Sequence, residues 1–289
     1  MPKELGKDWL MQLTTGGRSV KEQIDRIRRE KMSQSPMQIR SKLLETFGFA
    51  KPKPKADIVF FFGCHGLLRQ PTAVRNYFRL LEQLGVDITY LEEENCCGHT
   101  TFETASAEDR EQAVEAAREF TEANLKRAEA KGARSVAYFC TWCAHTAKWL
   151  FPDSPIALKY YPDILVEKLA TEKLRMEPAA VVGFFEGCHR RAKITPGVSF
   201  EWGKYRELLN NIEGLKVVDM PGKLCCIDVP DRIINNALDL NLDTILCSCL
   251  ACATRLGMAS EGRMRVQFYS DLLLEALNTG RLTAGKPSV

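Results

Sequence analysis

The order Cys, Cys-Cys, Cys-x-x-Cys runs through this chain twice. The first pass is Cys64, the pair Cys96-Cys97, then Cys140 with Cys143; the second is Cys188, the pair Cys225-Cys226, then Cys249 with Cys252. Each pass opens on an apolar run ending in Gly-Cys-His, "VFFFGCH" at 59–65 and "VGFFEGCH" at 182–189. Each C-x-x-C closes a further apolar stretch, "VAYFCTWC" or "ILCSCLAC", and the pattern uses ten of the eleven cysteines. Ordered repetition of this kind marks an internal duplication, so the fold has to build one cysteine-bearing scaffold twice.

The segments between the cysteines alternate in character. "DIVFFF", "VDITYL" and "SVAYF" suit buried strands, and "AVVGFF", "LKVVDM" and "DTILC" repeat them in the second pass. Between them lie helical patterns, "PTAVRNYFRLLEQLG" with its stop at Gly85, the long "SAEDREQAVEAAREFTEANLKRAEAKG", and shorter ones near 200–213 and 230–240. Strands alternating with helices predict an α/β fold with parallel sheets. The expected organisation is a helical N-terminal extension and linker over 1–55, a first domain over 56–177 and a second over 178–289. In the extension, Ser19 and Glu22 form a capping box and Pro36 stands at a helix start; its two amphipathic helices are expected on the chain's own core or on a partner. Every cysteine group then falls at the C-terminal end of a strand or just beyond, where open α/β sheets place their ligands.

Composition excludes several classes. The chain is 45% hydrophobic and 27% charged, the mix of a globular protein with a real core. A formal charge of +3 gives no reason to expect a nucleic-acid partner. No run of 18 apolar residues suggests a membrane span, and the N-terminus lacks the apolar centre of a secretory signal. The expected location is cytoplasmic, where clustered cysteines serve metals or redox work. Walker, GxGxxG and Ser-His-Asp patterns are absent, so nucleotide binding is not expected.

Five thiolates per pass point to a soft or borderline metal. Structural zinc takes four ligands, commonly as two C-x-x-C pairs, and fits an adjacent pair poorly. The ferredoxin run of cubane clusters is missing. Adjacent cysteines present two sulfurs to neighbouring irons if the backbone turns sharply, and Gly98 supplies such a turn through its tolerance of positive φ. The sulfurs therefore argue for a larger or unusual iron–sulfur assembly.

On these residues, with "ENCCG" at 94–98, the chain resembles the cysteine-rich CCG domain, and its duplication is similar to the B subunit family of heterodisulfide reductases, over roughly residues 56–260. The resemblance implies two tandem Rossmann-like CCG half-domains. It implies a non-cubane [4Fe-4S] cluster on Cys64, Cys96, Cys97, Cys140 and Cys143, and another on Cys188, Cys225, Cys226, Cys249 and Cys252. It further implies a shared cavity where a disulfide is cleaved, an HdrC-like ferredoxin-type iron–sulfur subunit and an HdrA-like flavin subunit as partners. The substrate would be a disulfide or thiol, lipoate-bound in the sulfur-oxidation branch of the family. The second pass departs from the pattern: Ile227 stands where glycine is expected, 22 residues rather than 42 separate the pair from the C-x-x-C, and Cys247 is an extra thiol able to substitute for Cys249. Zinc or a smaller cluster is the alternative at that second site.

All four histidines, His65, His99, His145 and His189, lie within two residues of a cysteine. His65 and His189 hold equivalent places and are the candidates for hydrogen bonding to a cluster sulfur or for protonating a departing thiolate. Trp142 is expected to pack, and Arg190 and Arg191 to form a solvated basic edge or to attract an anion. The acidic run Glu92 to Glu94 is expected to be solvated. Two other functions fit the same residues: a CCG-domain electron-transfer subunit of a lactate- or glycolate-oxidising complex, and a zinc-stabilised scaffold.

Overall fold

The computed structural model describes residues 17–33, 37–187 and 194–284, and they divide into two compact units. The first unit holds the described residues up to Leu68 together with Ile88–Leu158; the second holds Arg69–Asp87 and the described residues from Lys159 onward.

The elements run α1 (Val20–Glu30), α2 (Met37–Thr46), β1 (Ile58–Phe61), α3 (Gly63–Arg69), α4 (Pro71–Gln83), β2 (Ile88–Tyr90), α5 (His99–Thr104), α6 (Arg110–Ala130), β3 (Ser135–Tyr138), α7 (Thr141–Leu150) and β4 (Ala157–Tyr160). They continue with α8 (Tyr161–Leu169), β5 (Arg175–Phe185), α9 (Trp202–Asn210), β6 (Glu213–Asp219), α10 (Pro230–Asp239), β7 (Thr244–Cys247), α11 (Leu250–Ser260), β8 (Arg265–Phe268) and α12 (Tyr269–Ala284).

The duplication is visible in the sheets. One has the order β2-β1-β3-β4 and the other β6-β5-β7-β8, the same order offset by one repeat. The pairs β1/β2, β1/β3, β5/β6, β5/β7 and β7/β8 are parallel. The α/β expectation with two parallel sheets therefore holds. All six expected strands form, within a few residues of their expected bounds. The sheets each add a fourth strand, "ALKY" and "RVQF", which are short and half-exposed, so no apolar run announced them.

In the first unit the strand β1 is buried along its whole length, as a continuous apolar run between two covered faces should be. Phe60 packs edge-on against Phe62 at 5.1 Å and against Phe139 at 5.7 Å, which ties the end of β1 to the residue that leads into the C-x-x-C. The N-terminal helices pack on this unit. Helix α1 starts at the expected capping box, with the Glu22 amide donating to Ser19 Oγ and the Ser19 amide to Glu22 Oε2. Its Val20, Ile24 and Ile27 are buried, and the helix lies against α5 and α6. Pro36 lies outside the described residues.

In the second unit the shortened spacing appears as α10, 10 residues long where α6 has 21. This unit also takes in α4, a helix from the first repeat. Asn76 donates to Asp271 Oδ1 at 3.0 Å, and the Tyr77 and Tyr161 rings meet edge-on at 5.4 Å. The second compact unit thus takes in Arg69–Asp87 and residues 159–177, segments that a linear division at residue 177 assigns to the first domain. Among the described residues no helix is long and apolar enough to cross a membrane.

Candidate metal centre

In the first unit the five cysteines converge from three chain turns, each at the C-terminal end of a strand. Cys64 follows β1 inside α3, entered through Gly63 at φ +72°. Cys96 and Cys97 follow β2, and the turn after them is made by Gly98 at φ +71°, as expected of the glycine in "CCG". A Cβ at Gly98 would lie 3.0 Å from the Cα of Ala117, so the close approach to α6 needs glycine as much as the dihedral does. Cys140 caps α7 and Cys143 sits in its first turn.

The sulfurs form a row. Cys96 Sγ lies 3.7 Å from Cys64 Sγ, Cys96 also bonds Cys97, Cys97 bonds Cys143, and Cys143 bonds Cys140. Hydrogen bonds from Cys64 and Cys97 hold Cys96 well below the usual thiol value, while the contact with Cys96, followed by burial, pushes Cys64 up. Contacts with Cys140 and Cys97 push Cys143 up.

Glu94 overturns one expectation. Glu92 and Glu93 are exposed as expected, but Glu94 is fully buried. Its carboxylate accepts the amides of Phe62 at 3.0 Å and Gly63 at 3.2 Å, and Arg40 Nη2 stands 3.2 Å away. Arg40 also donates to the carbonyls of Leu91 and Glu92 at 2.8 and 2.6 Å. Two strand ends are thereby fastened together, with Cys64 just beyond one and Cys96 just beyond the other. Burial alone raises the Glu94 carboxyl, and Arg40 opposes it. An acidic triplet in sequence gives no sign that its third member turns inward.

Ahead of β1, two further contacts reach the row. The Ser33 hydroxyl lies 3.4 Å from Cys64 Sγ and 3.3 Å from Cys96 Sγ, and the Lys31 carbonyl accepts the Cys96 amide at 2.6 Å. Neither residue carries a sequence signal, because the segment reads only as the end of an amphipathic helix.

The second unit repeats the row. Cys225 bonds Cys226, Cys226 bonds Cys252, and Cys252 bonds Cys249. Hydrogen bonds from Cys225 and Cys252 pull Cys226 down to about 5, and the contact with Cys226 pushes Cys225 up. Cys249 caps α11 at φ −90°, ψ 127°, against −88° and 125° for Cys140 capping α7. Gly63 and Gly187 play one part in both units. A Cβ at Gly63 would stand 3.0 Å from Cys143 Sγ; one at Gly187 would stand 2.9 Å from Cys249 Cβ and 3.0 Å from Cys252 Sγ. The glycine of Gly-Cys-His leaves the space that lets the strand end touch the C-x-x-C.

Ile227 forms its turn without positive φ. The Cys225 carbonyl accepts the amides of Asp228 and Val229 at 3.1 and 3.0 Å instead. Cys247 pairs with Phe185 on β7, in the register place that Tyr138 holds opposite Phe61. Cys249, not Cys247, therefore occupies the place of Cys140. Cys188, His189, Arg190 and Arg191 lie outside the described residues.

His65 is half-buried in α3 beside Cys64. His99 is buried, with Nδ1 2.8 Å from Thr146 Oγ1 and its ring between Phe102 and Trp142. His145 is buried in α7, and Trp142 packs in the same layer as His99.

Among the described residues no three His, Cys, Asp or Glu side chains surround one point as a single metal ion would require. The donors stand in rows of soft sulfur, with a glycine cradle beside each C-x-x-C. Rows of thiolates fit a multi-iron group.

Residues 58–148 match the cysteine-rich CCG domain. The chain is 28% identical over 228 residues to the D subunit of the dihydromethanophenazine:CoB–CoM heterodisulfide reductase of Methanosarcina acetivorans, covering 70% of this chain and 54% of that one. It is 25% identical over 181 residues to the B subunit of the fumarate reductase (CoM/CoB) of Methanothermobacter marburgensis, covering 60% and 33%. The chain thus spans about half the length of the first of these relatives. Among solved structures, a hypothetical protein from Helicobacter pylori superposes with a TM-score of 0.55 at 15% identity, covering 90% of this chain and 57% of that one, a likeness of fold. CCG domain and relatives together support an iron–sulfur redox subunit of the oxidoreductase class.

Proposed function

We propose that this chain is the iron–sulfur subunit of a heterodisulfide-reductase-like complex and carries out thiol–disulfide redox chemistry. The observation that carries this reading is the row of sulfurs built twice on the same strand ends, with Cys140 and Cys249 capping their helices at nearly the same dihedrals. The names of both relatives include CoM and CoB.

The proposed ligands are Cys64, Cys96, Cys97, Cys140 and Cys143 in the first unit and Cys188, Cys225, Cys226, Cys249 and Cys252 in the second. Bound there, non-cubane [4Fe-4S] clusters would supply or accept the electrons of a disulfide singly. The chain's own residues do the rest. Helices α7 and α11 present Cys143 and Cys252 from their first turns. Burial of Cys97, Cys143, Cys226 and Cys252 keeps water from the sulfurs. His65, half-open beside Cys64, is placed to hand a proton to a thiolate leaving that side, and His189 is its equivalent in the second repeat. Reducing a disulfide to two thiols takes two electrons and two protons, so partners are required: an HdrC-like ferredoxin-type subunit and an HdrA-like flavin subunit. The substrate class is a disulfide or its thiols, with a lipoate-bound form included.

The test is iron, zinc and acid-labile sulfide on the full chain purified without oxygen, with EPR after oxidation in the presence of a thiol. About eight irons and eight sulfides, with a thiol-dependent signal, are expected. Stoichiometric zinc and a colourless protein would overturn the proposal.

A further inference from the structure

Two residues ahead of β1, both outside the matched CCG domain, contact the first sulfur row, Lys31 and Ser33, and a third, Arg40, braces it through Glu94. Their contacts are specific. The Lys31 carbonyl fixes the Cys96 amide at 2.6 Å. The Arg40 guanidinium, with only 4% of the side chain exposed, secures the carboxylate that ties the β1 and β2 ends together. The Ser33 hydroxyl stands within hydrogen-bond reach of two sulfurs, 3.4 Å from Cys64 and 3.3 Å from Cys96. Met32, between them, is 1% exposed, so the segment is seated and not merely adjacent.

The second row has a different environment at the same places. Two residues before the cysteine pair, where the first repeat has Glu94, the second has Lys223. Cys225, the counterpart of Cys96, accepts backbone amides from Ile227 and Asp228, whereas Cys96 accepts the equivalent amide of Gly98 and has the Ser33 hydroxyl beside it. A hydroxyl is a different donor from a backbone amide, because it turns freely and serves whichever sulfur carries more charge.

We infer that Ser33 is a positioning residue of the first sulfur site, its hydroxyl donating to Cys64 Sγ and standing 3.3 Å from Cys96 Sγ, whose thiol donates back to it, and so setting the electronics of that site apart from the second. The inference rests on the proposed iron–sulfur function for its redox consequence, but not for its geometry. Hydrogen bonds to the sulfurs are one of the levers that set an iron–sulfur potential; a donor withdraws charge from the sulfur and favours the reduced state. Removing it should move the first site to a lower potential and leave the second unmoved.

Two measurements keep the inference and the functional reading apart. The first needs no iron: in the full chain before iron loading, Ser33→Cys places a third sulfur beside Cys64 and Cys96. Mild oxidation should then give a disulfide to one of them, located by peptide mass mapping. Failure to find it overturns the placement. The second is an EPR-monitored redox titration of iron-loaded Ser33→Ala and Ser33→Thr. Ser33→Ala should lower the potential of one signal with iron content and melting temperature unchanged, and Ser33→Thr, which keeps the hydroxyl, should restore it. A Ser33→Ala potential equal to that of the parent chain overturns the inference. If the crosslink forms in a chain that takes up no iron, the placement of Ser33 stands, and both the iron–sulfur function and the redox consequence fall.

Discussion

Arg40 and Glu94 form an ion pair at 3.2 Å with 4% and 0% of their side chains exposed, 54 positions apart in the chain. The pair is more than a charge contact, because both Glu94 oxygens also hold amides at the end of β1. Replacing one partner leaves the other as an uncompensated buried charge, which typically costs about 3–5 kcal/mol. Glu94→Gln, which keeps an acceptor for the Phe62 amide, should lower unfolding stability by that order in urea titrations. Adding Arg40→Met should recover much of the loss, giving strong non-additivity in a double-mutant cycle.

The glycine cradles give a site-by-site test. Gly63→Ala forces a Cβ to within 3.0 Å of Cys143 Sγ at a φ of +72°, where an L side chain costs about 1–2 kcal/mol. Gly187→Ala would put a Cβ 2.9 Å from Cys249 Cβ and 3.0 Å from Cys252 Sγ, without the positive φ of Gly63. Each substitution alone should lower bound iron to about half that of the parent chain, given two clusters of equal size. Iron assay of the two single variants and the double variant checks this.

Cys247 and Cys249 should behave differently. Cys247 lies on β7, fully buried, its thiol pushed up by burial, while Cys249 caps α11 in the row. Cys247→Ala should cost stability through a small cavity, on the order of 1 kcal/mol, and leave iron content unchanged. Cys249→Ala should remove the second site's iron. Equal iron loss in both would place Cys247 among the ligands.

A pH-dependent prediction comes from Asp271 on α12. Burial raises its carboxyl above the ordinary value, against the pull of the Asn76 hydrogen bond and of Arg265. A carboxyl raised on folding holds its proton more tightly in the folded chain. Its contribution is therefore favourable below the unfolded value, about 3.9, and is lost as pH rises through the folded value. Asp271→Asn keeps the acceptor for Asn76 and removes the buried charge. It should raise the melting temperature at pH 7, with the advantage shrinking as the pH is lowered toward 4.

The cysteine order announced both rows, because the sulfurs sit just past the C-terminal ends of strands and their spacing survives in the chain as plain text. Gly98 was legible for a related reason: positive φ has few solutions, and its residue type records the turn. Glu94 was not. Its neighbours Glu92 and Glu93 are solvated, and only the arrival of Arg40 from a separate helix makes a third acid affordable inside. Ser33 was invisible because a serine after a helix is ordinary, and its meaning lies in two sulfurs 31 and 63 positions away. The edge strands β4 and β8 were missed because half-exposed strands need no apolar run.

The segment Arg69–Asp87 leaves the first repeat's sequence neighbourhood and completes the second unit. Helix α4 lies against α12, with Asn76 on Asp271, and the residue before it, Gln70, donates to Thr254 on α11. A chain cut at residue 177 would therefore produce no autonomous half: the downstream fragment would lack a wall of its core, and the upstream one would carry a helix with its apolar face bare. The two repeats are thus not independent folding units, because the second is completed by a helix that the first supplies.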